Sequence, residues 1–252
     1  MVSDDASLNA ASLENTHEVH VSFGEAVNVN SIDNTGTGIF SVTGPMTMVT
    51  AAVAIVNQGN FGVSNDAVVS VSSYDQTSGQ TMIAGGSLGA SNFGVNVVAG
   101  QFLGFGDVSS DLNVGVAGVL APGSVLDETD RFDVAGALLL GGTLDIDIAG
   151  PTLNEFDRVV AVDDITLGGV LDVSLLNGFE PTIGSSFDIL IGGSVTGDFG
   201  STLFPVFDGR TFNLVLGPDF VRLTVTAIPI PTAMYLFVPG CLLLFARRGT
   251  TR

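Results

Sequence analysis

The feature that most constrains the fold is an internal repeat with an offset of 27 residues. Its first copy contains Asp130-Arg131, Leu140-Gly141-Gly142 and Leu144-Asp145, and its second contains Asp157-Arg158, Leu167-Gly168-Gly169 and Leu171-Asp172. Each copy predicts a strand, a Gly-Gly turn and a second strand, with apolar side chains on one face. One copy cannot bury that face alone, so we expect successive copies to stack.

The rest of the body, between His20 and Thr226, consists of short β-favouring runs separated by Gly, Asn, Asp and Ser. Runs such as Val27–Ile32 and Ala67–Ser72 alternate with period two, and no segment has a sustained helical period with caps. The sequence therefore predicts an all-β chain. Roughly ten stacked coils of about 20 residues would form a rod about 50 Å long, because paired strands lie about 4.8 Å apart.

Several segments resemble the coils of autotransporter-type passenger β-helices, namely Tyr74–Gly79, Ala84–Leu88 and Gly118–Ser124. The segment from Phe156 to Leu190 resembles the C-terminal cap region of such proteins. The resemblance implies a right-handed parallel β-helix or β-solenoid. A β-sandwich for residues 125–227 and a mixed β-solenoid are the alternatives.

The charge of the chain limits its partners. The formal net charge is −19, there is no lysine, and all 26 acidic residues precede residue 228. Nucleic-acid affinity depends on Lys and Arg that neutralise phosphates, so DNA and RNA are excluded as expected partners. The acidic surface is typical of a soluble, self-repelling exposed protein. Adaptation to saline water, or weak Ca²⁺ binding by surface carboxylates, is the alternative, and no other cofactor is expected.

The C-terminal 25 residues differ from the body. Ile228–Thr232 contains a Pro-x-Pro sequence, the following Ala233–Ala246 segment has no charge, and Arg247-Arg248 ends it. The uncharged run is 19 residues long. It predicts a short apolar helix that is marginal for crossing a hydrocarbon core of about 30 Å. The paired arginines favour the cytoplasmic side of the membrane.

This order of parts resembles a PEP-CTERM sorting signal of the Val-Pro-x-Pro-Ala type, although Ile230 replaces the acidic residue of the commoner Pro-Glu-Pro form. The resemblance implies an exosortase-type membrane enzyme as partner, in a Gram-negative bacterium that produces exopolysaccharide. It implies export, anchoring in the inner membrane by the tail, and then delivery to the cell surface or extracellular matrix. The residues that it assigns to sorting and processing are Pro229, Pro231, Thr232, Arg247 and Arg248.

The start of the chain does not match an exported protein. Met1–Phe23 contains four acidic residues and no basic n-region or apolar run of signal-peptide length, so we expect the true start to lie upstream. The predicted organisation has four parts. These are a disordered or truncated N-terminus (1–17), β-solenoid coils (18–124), a C-terminal β repeat and cap region (125–227) and the sorting tail with its apolar helix (228–252).

Metal binding is not expected. The two histidines, His17 and His20, have only Glu14 and Glu18 as neighbouring acids, and their segment predicts a strand. The acidic run Asp127–Asp130 with Asp133 attracts Ca²⁺ at most weakly, because it lacks the glycine-punctuated loop of a dedicated site. Gly85-Gly86 and Gly141-Gly142 are expected in turns and not in phosphate-binding loops, since no helix follows them.

An enzyme is not expected either. A hydrolase needs paired carboxylates, for which Asp163-Asp164 and Asp145 with Asp147 are the best pairs. The second pair falls on one face of a strand, expected to be the outer face. A lyase needs a basic residue, but there is no lysine. Arg131 and Arg158 are equivalent in the repeat, which indicates a structural ion pair or turn role.

The expected function is therefore that of a non-enzymatic exported surface or matrix protein with a structural or adhesive role. The alternatives are a carbohydrate-binding module and a polysaccharide lyase or hydrolase on the same β-helix. Extended glycans usually bind aromatic platforms, and this chain has no Trp and only two tyrosines, Tyr74 and Tyr235.

Overall fold

The computed structural model describes residues 7–123 and 129–229, in which every helix or strand is a β-strand. The first ten strands are β1 (Ser7–Asn15), β2 (Glu18–Ser22), β3 (Ala26–Asn34), β4 (Ile39–Thr43), β5 (Met48–Asn57), β6 (Asn60–Ser64), β7 (Val68–Gln76), β8 (Gln80–Ala90), β9 (Val95–Val108) and β10 (Leu112–Pro122). The others are β11 (Arg131–Val134), β12 (Leu138–Leu140), β13 (Thr143–Ile148), β14 (Arg158–Ala161), β15 (Ile165–Leu167), β16 (Val170–Leu175), β17 (Ser186–Ile191), β18 (Val195–Gly197), β19 (Ser201–Leu203), β20 (Arg210–Leu216) and β21 (Phe220–Ala227).

The strands form a parallel β-solenoid, as the sequence predicts. One column of paired residues follows the stack through Leu8, Val27, Val49, Val69, Leu88, Val108, Val134 and Ala161. Successive members are 19 to 22 residues apart as far as Val108, and 26 or 27 apart after it. A uniform coil of about 20 residues is therefore wrong, and the coils number fewer than ten because they lengthen along the chain.

The 27-residue repeat corresponds to two stacked coils. Arg131 pairs with Arg158, and Leu144 pairs with Leu171. Strands β11 to β13 pair in parallel with β14 to β16, which pair in parallel with β17 to β19. The alternative of a β-sandwich for residues 125–227 is wrong for these strands. Their period-two alternation places one apolar face inside each coil, and stacking buries that face.

A column of close backbone contacts occurs at one corner of the coils. It contains Gly38, Gly59, Gly79, Gly100, Gly118, Gly142 and Gly169, and we call it the glycine column. A Cβ at Gly59 would lie 2.2 Å from the Gly38 carbonyl oxygen, and one at Gly169 would lie 1.9 Å from that of Gly142. Glycine is required in this column because the backbone of the adjacent coil is too close to leave room for a Cβ atom. Gly142 thus has a stacking role as well as a turn role.

An antiparallel hairpin covers the C-terminal end of the solenoid. Strand β21 pairs with β20 and with β17, both antiparallel. Arg222 on β21 binds Asp188 on β17 through two hydrogen bonds of 2.5 and 2.9 Å. Both side chains are more than a third exposed, so this pair contributes at most about 1 kcal/mol. Phenylalanine packing joins the hairpin to the coils, with Phe187 contacting Phe156 at 5.3 Å and Phe212 at 6.1 Å between ring centroids.

Candidate functional sites

A ladder of buried amide side chains runs inside the N-terminal coils. The Asn15 Nδ2 donates to Asn34 Oδ1 at 2.8 Å, and the Asn34 Nδ2 donates to Asn57 Oδ1 at 2.7 Å. The Asn15 Nδ2 also donates to the Ile39 main-chain oxygen on β4, and the Asn34 Nδ2 donates to that of Asn60 on β6. We call Asn15, Asn34 and Asn57 the amide ladder. Its hydrogen bonds satisfy polar groups inside an apolar core, which would otherwise be costly.

Sequence reasoning did not find the amide ladder. The signal was present, because Asn15, Asn34, Asn57 and Gln76 each end a strand and are 19 to 23 residues apart. Asn is also common in exposed turns, so the spacing alone does not separate the two roles.

Tyr74 lies in the core next to Asn57, the last member of the amide ladder, and its buried ring is not a glycan platform. Its side chain is fully buried, and its hydroxyl lies 2.5 Å from Thr81 Oγ1. The Thr81 hydroxyl donates in turn to Gln76 Oε1. Burial raises the pKa of the Tyr74 phenol, and side-chain hydrogen bonds with Thr81 and Asn57 partly lower it. The other tyrosine, Tyr235, lies outside the described residues.

The two acid pairs that sequence reasoning singled out lie on the surface of the C-terminal coils. Asp163 and Asp164 are exposed in a turn, where Asp164 Oδ1 accepts a hydrogen bond from the Ser194 hydroxyl at 2.8 Å. Asp145 and Asp147 lie on the outer face of β13, as expected, while Ile146 between them is buried. Partial burial raises the pKa of Asp145, and the charge of Asp172 in the next coil raises it further.

A buried carboxyl that sequence reasoning missed lies beside the second pair. Asp157 is 1% exposed, and its oxygens accept hydrogen bonds from the backbone amides of Asp130 at 2.8 Å and Asp147 at 2.9 Å. The repeat aligns Asp157 with Asp130, but nothing in the sequence indicates that only Asp157 is buried. Arg131, which follows Asp130, forms an ion pair with Asp133, in agreement with a structural role. Its repeat equivalent Arg158 has a buried Nε without a hydrogen-bond partner.

The candidate metal ligands do not converge in the described part of the chain. His17 Nδ1 lies 2.9 Å from the Thr16 hydroxyl, while His20 lies 3.6 Å from Glu18 on the exposed surface. No group of three or more His, Cys, Asp or Glu that could hold a metal occurs within residues 7–123 and 129–229. Of the acidic run proposed for Ca²⁺, Asp127 and Glu128 lie outside these ranges.

The surface of the N-terminal coils carries a shallow groove along the stack. Small side chains line it, including Asn28, Thr50, Ala52, Ser70, Ser72 and Asn92. The charged side chains discussed above are not among the residues that line this groove. It contains no arrangement that could supply a nucleophile with a base or a pair of opposed carboxylates.

Of the residues assigned to sorting, only Pro229 lies in the described part of the chain. It follows β21, and the neighbouring Ile228 amide donates to the Gly209 carbonyl at 2.9 Å. Pro231, Thr232, Arg247, Arg248 and the predicted apolar helix lie outside the described residues. Within residues 7–123 and 129–229 no helix has the length and apolar character needed to span a membrane.

Comparison of the chain with protein-family models and with curated proteins found no match.

Proposed function

We propose that the chain is a non-enzymatic structural or adhesive protein that is exported, held in the inner membrane by its C-terminal tail and then delivered to the bacterial surface or extracellular matrix. An exosortase-type enzyme is the proposed partner that acts on the tail near Pro229, Pro231 and Thr232. The sequence resemblance of the tail to a PEP-CTERM signal motivates this proposal.

The observation that carries the proposal is the residue at which the last strand of the folded body ends. The last strand, β21, ends at Ala227 and is paired along both edges, with β17 on one side and β20 on the other. The buried core of the described residues is complete without any residue after Val225. Deletion from Ile228 onward therefore removes none of these buried side chains.

The surface chemistry supports a structural rather than a catalytic role. Of the two carboxylate pairs considered for a hydrolase, Asp163-Asp164 consists of adjacent exposed residues in a turn, and Asp145 with Asp147 lies on the outer face of β13. The buried Asp157 is 1% exposed, and its carboxyl accepts hydrogen bonds from two backbone amides. A lysine-free surface with a net charge of −19 favours a dispersed, hydrated protein outside the cell.

Deletion of residues 228–252 tests the proposal. The full chain and the deletion variant would be expressed behind a secretory leader, in a Gram-negative host with an exosortase and in its exosortase-null derivative. We expect the full chain in the envelope, with a shortened mature form only when the enzyme is present. The deletion variant should be released from the membrane into the periplasm or the medium in both hosts, since it then has no tail to anchor it.

A variant of the folded body, Gly62→Ala, serves as the matched control and should behave as the unaltered chain. A Cβ at Gly62 meets no atom within 4 Å, so this change leaves both fold and tail intact. The same distribution for the full chain and the deletion variant would overturn the sorting proposal.

A further inference from the structure

The Asp157 carboxyl connects two coils of the C-terminal half of the solenoid. It lies just before β14, the first strand of one coil, and accepts amide hydrogen bonds from residues at both ends of the preceding coil. Asp130 immediately precedes β11, the first strand of that coil, and Asp147 lies near the end of β13, its last strand. The Asp157 amide also donates to the Asp147 carbonyl at 2.9 Å. One side chain thus holds the start and the end of a coil to the start of the next.

The electrostatic surroundings of this carboxyl are unfavourable for a negative charge. It is 1% exposed, and Asp157 has no cationic partner among the described residues. The charged groups that act on it from the packed strand β13 are Asp145 and Asp147, both acidic. The side chain of Asp130 accepts the Arg131 amide, and the Arg131 guanidinium binds Asp133 instead. A buried, unpaired carboxyl near like charges is stabilised in its neutral form.

We propose that Asp157 is a pH-sensitive latch between these coils, closed when its carboxyl is protonated and weakened when the carboxyl ionises. The inference concerns the folded body alone and does not depend on the sorting proposal. Ionisation places a charge in a buried position beside Asp145 and Asp147, which the two amide donors only partly offset. The coils around residues 130–157 then open more readily than the rest of the stack, because each coil contacts only its neighbours.

The direction of the pH effect follows from the two states of the carboxyl. Burial raises the pKa of Asp157 to about 8, with the amides of Asp147 and Asp130 lowering it and the charges of Asp147 and Asp145 raising it. In the unfolded chain an aspartate has a pKa of about 3.9. Between these values the folded protein holds a proton that the unfolded chain has lost. The stability is therefore complete below the unfolded pKa, falls as the pH rises towards 8, and is constant above that.

Urea unfolding of the full-length chain in non-ionic detergent, measured from pH 5 to pH 9, tests the latch. The unfolding equilibrium constant of the unaltered protein should rise about tenfold per pH unit below pH 7 and about 50-fold from pH 6 to pH 8, because half of the folded protein is ionised at Asp157 by pH 8. Asp157→Asn should abolish most of this dependence. Asp163→Asn, which removes an exposed carboxylate from the neighbouring turn, is the matched control and should retain it. A pH dependence in Asp157→Asn equal to that of the control would overturn the proposal.

A second measurement covers the case in which Asp157→Asn does not fold. The unaltered chain would be labelled with ¹³C at the aspartate carboxyls and titrated by NMR. We expect one aspartate carboxyl resonance to titrate near pH 8. Ionisation of every aspartate below pH 6 would contradict the latch.

Discussion

The N-terminal and C-terminal coils have the same parallel pairing but different polar interiors. Within the described residues, seven of the eight buried polar or charged side chains precede residue 82, and the eighth is Asp157. The first group includes the amide ladder, whose members bond to each other from coil to coil. Its buried carboxylate, Glu25, lies in the turn between β2 and β3 and accepts the Ser22 amide at 2.8 Å. The buried side chains that link successive coils are therefore neutral amides at one end of the stack and an ionisable carboxyl near the other, since the hydrogen bond of Glu25 stays within its own turn.

The difference shows how one architecture accommodates two coil lengths. In the shorter coils the amides at the ends of β1, β3 and β5 are paired in register, so each amide can meet its equivalent in the next coil. The longer coils after Val108 insert turns such as residues 149–157, and a single carboxyl there bonds to two backbone amides. A ladder of amides does not change its charge with pH, whereas a carboxyl does.

The largest effect is expected in the glycine column, which both halves share. Gly169→Ala should destabilise the protein by about 3 kcal/mol or more, because it adds a Cβ against the Gly142 carbonyl at a residue with a φ of +57°. Gly59→Ala should have a similar effect in the N-terminal half, where the Cβ would meet the Gly38 carbonyl oxygen. Urea unfolding measures both variants. The control Gly62→Ala should change the stability by less than about 0.5 kcal/mol.

A large effect in only one half would mean that the glycine column does not stack continuously. That result would make the difference between the halves greater than the structure indicates.

A smaller effect, confined to the N-terminal half, is expected from the amide ladder. Asn34→Ala removes the acceptor for Asn15 and the donor to Asn57 and leaves a small cavity, so we expect a loss of about 2 kcal/mol. Asn28→Ala, on the exposed face of the same strand, is the control and should cost less than about 0.5 kcal/mol. Equal unfolding midpoints for the two variants would show that the ladder contributes nothing specific.

The sequence was sufficient to predict the fold class but not the interior chemistry. The repeat that begins at Asp130 identifies two stacked coils, because identical offsets in Arg, Leu and Gly-Gly positions require equivalent places in successive coils. The N-terminal coils have no such signature, since their registers vary between 19 and 22 residues and shift at bulges. Asn34 is buried whereas Asn28 is exposed, and Asp157 is buried whereas Asp130 is only half-buried, although the two members of each pair are the same residue type. Which of these side chains is buried depends on how the coils stack.

Amide hydrogen exchange of the full-length chain at pH 6 and pH 9 tests the contrast between the two halves most directly. Rates corrected for intrinsic pH dependence would be compared for the Asp130 and Asp147 amides and for the amides of β3 and β5, which carry the amide ladder. We predict that protection falls at pH 9 for the first set and stays constant for the second, because the Asp157 carboxyl that links the C-terminal coils ionises in this range and the amide ladder has no ionisable group. An equal loss of protection in both sets, or no loss in either, would contradict this account.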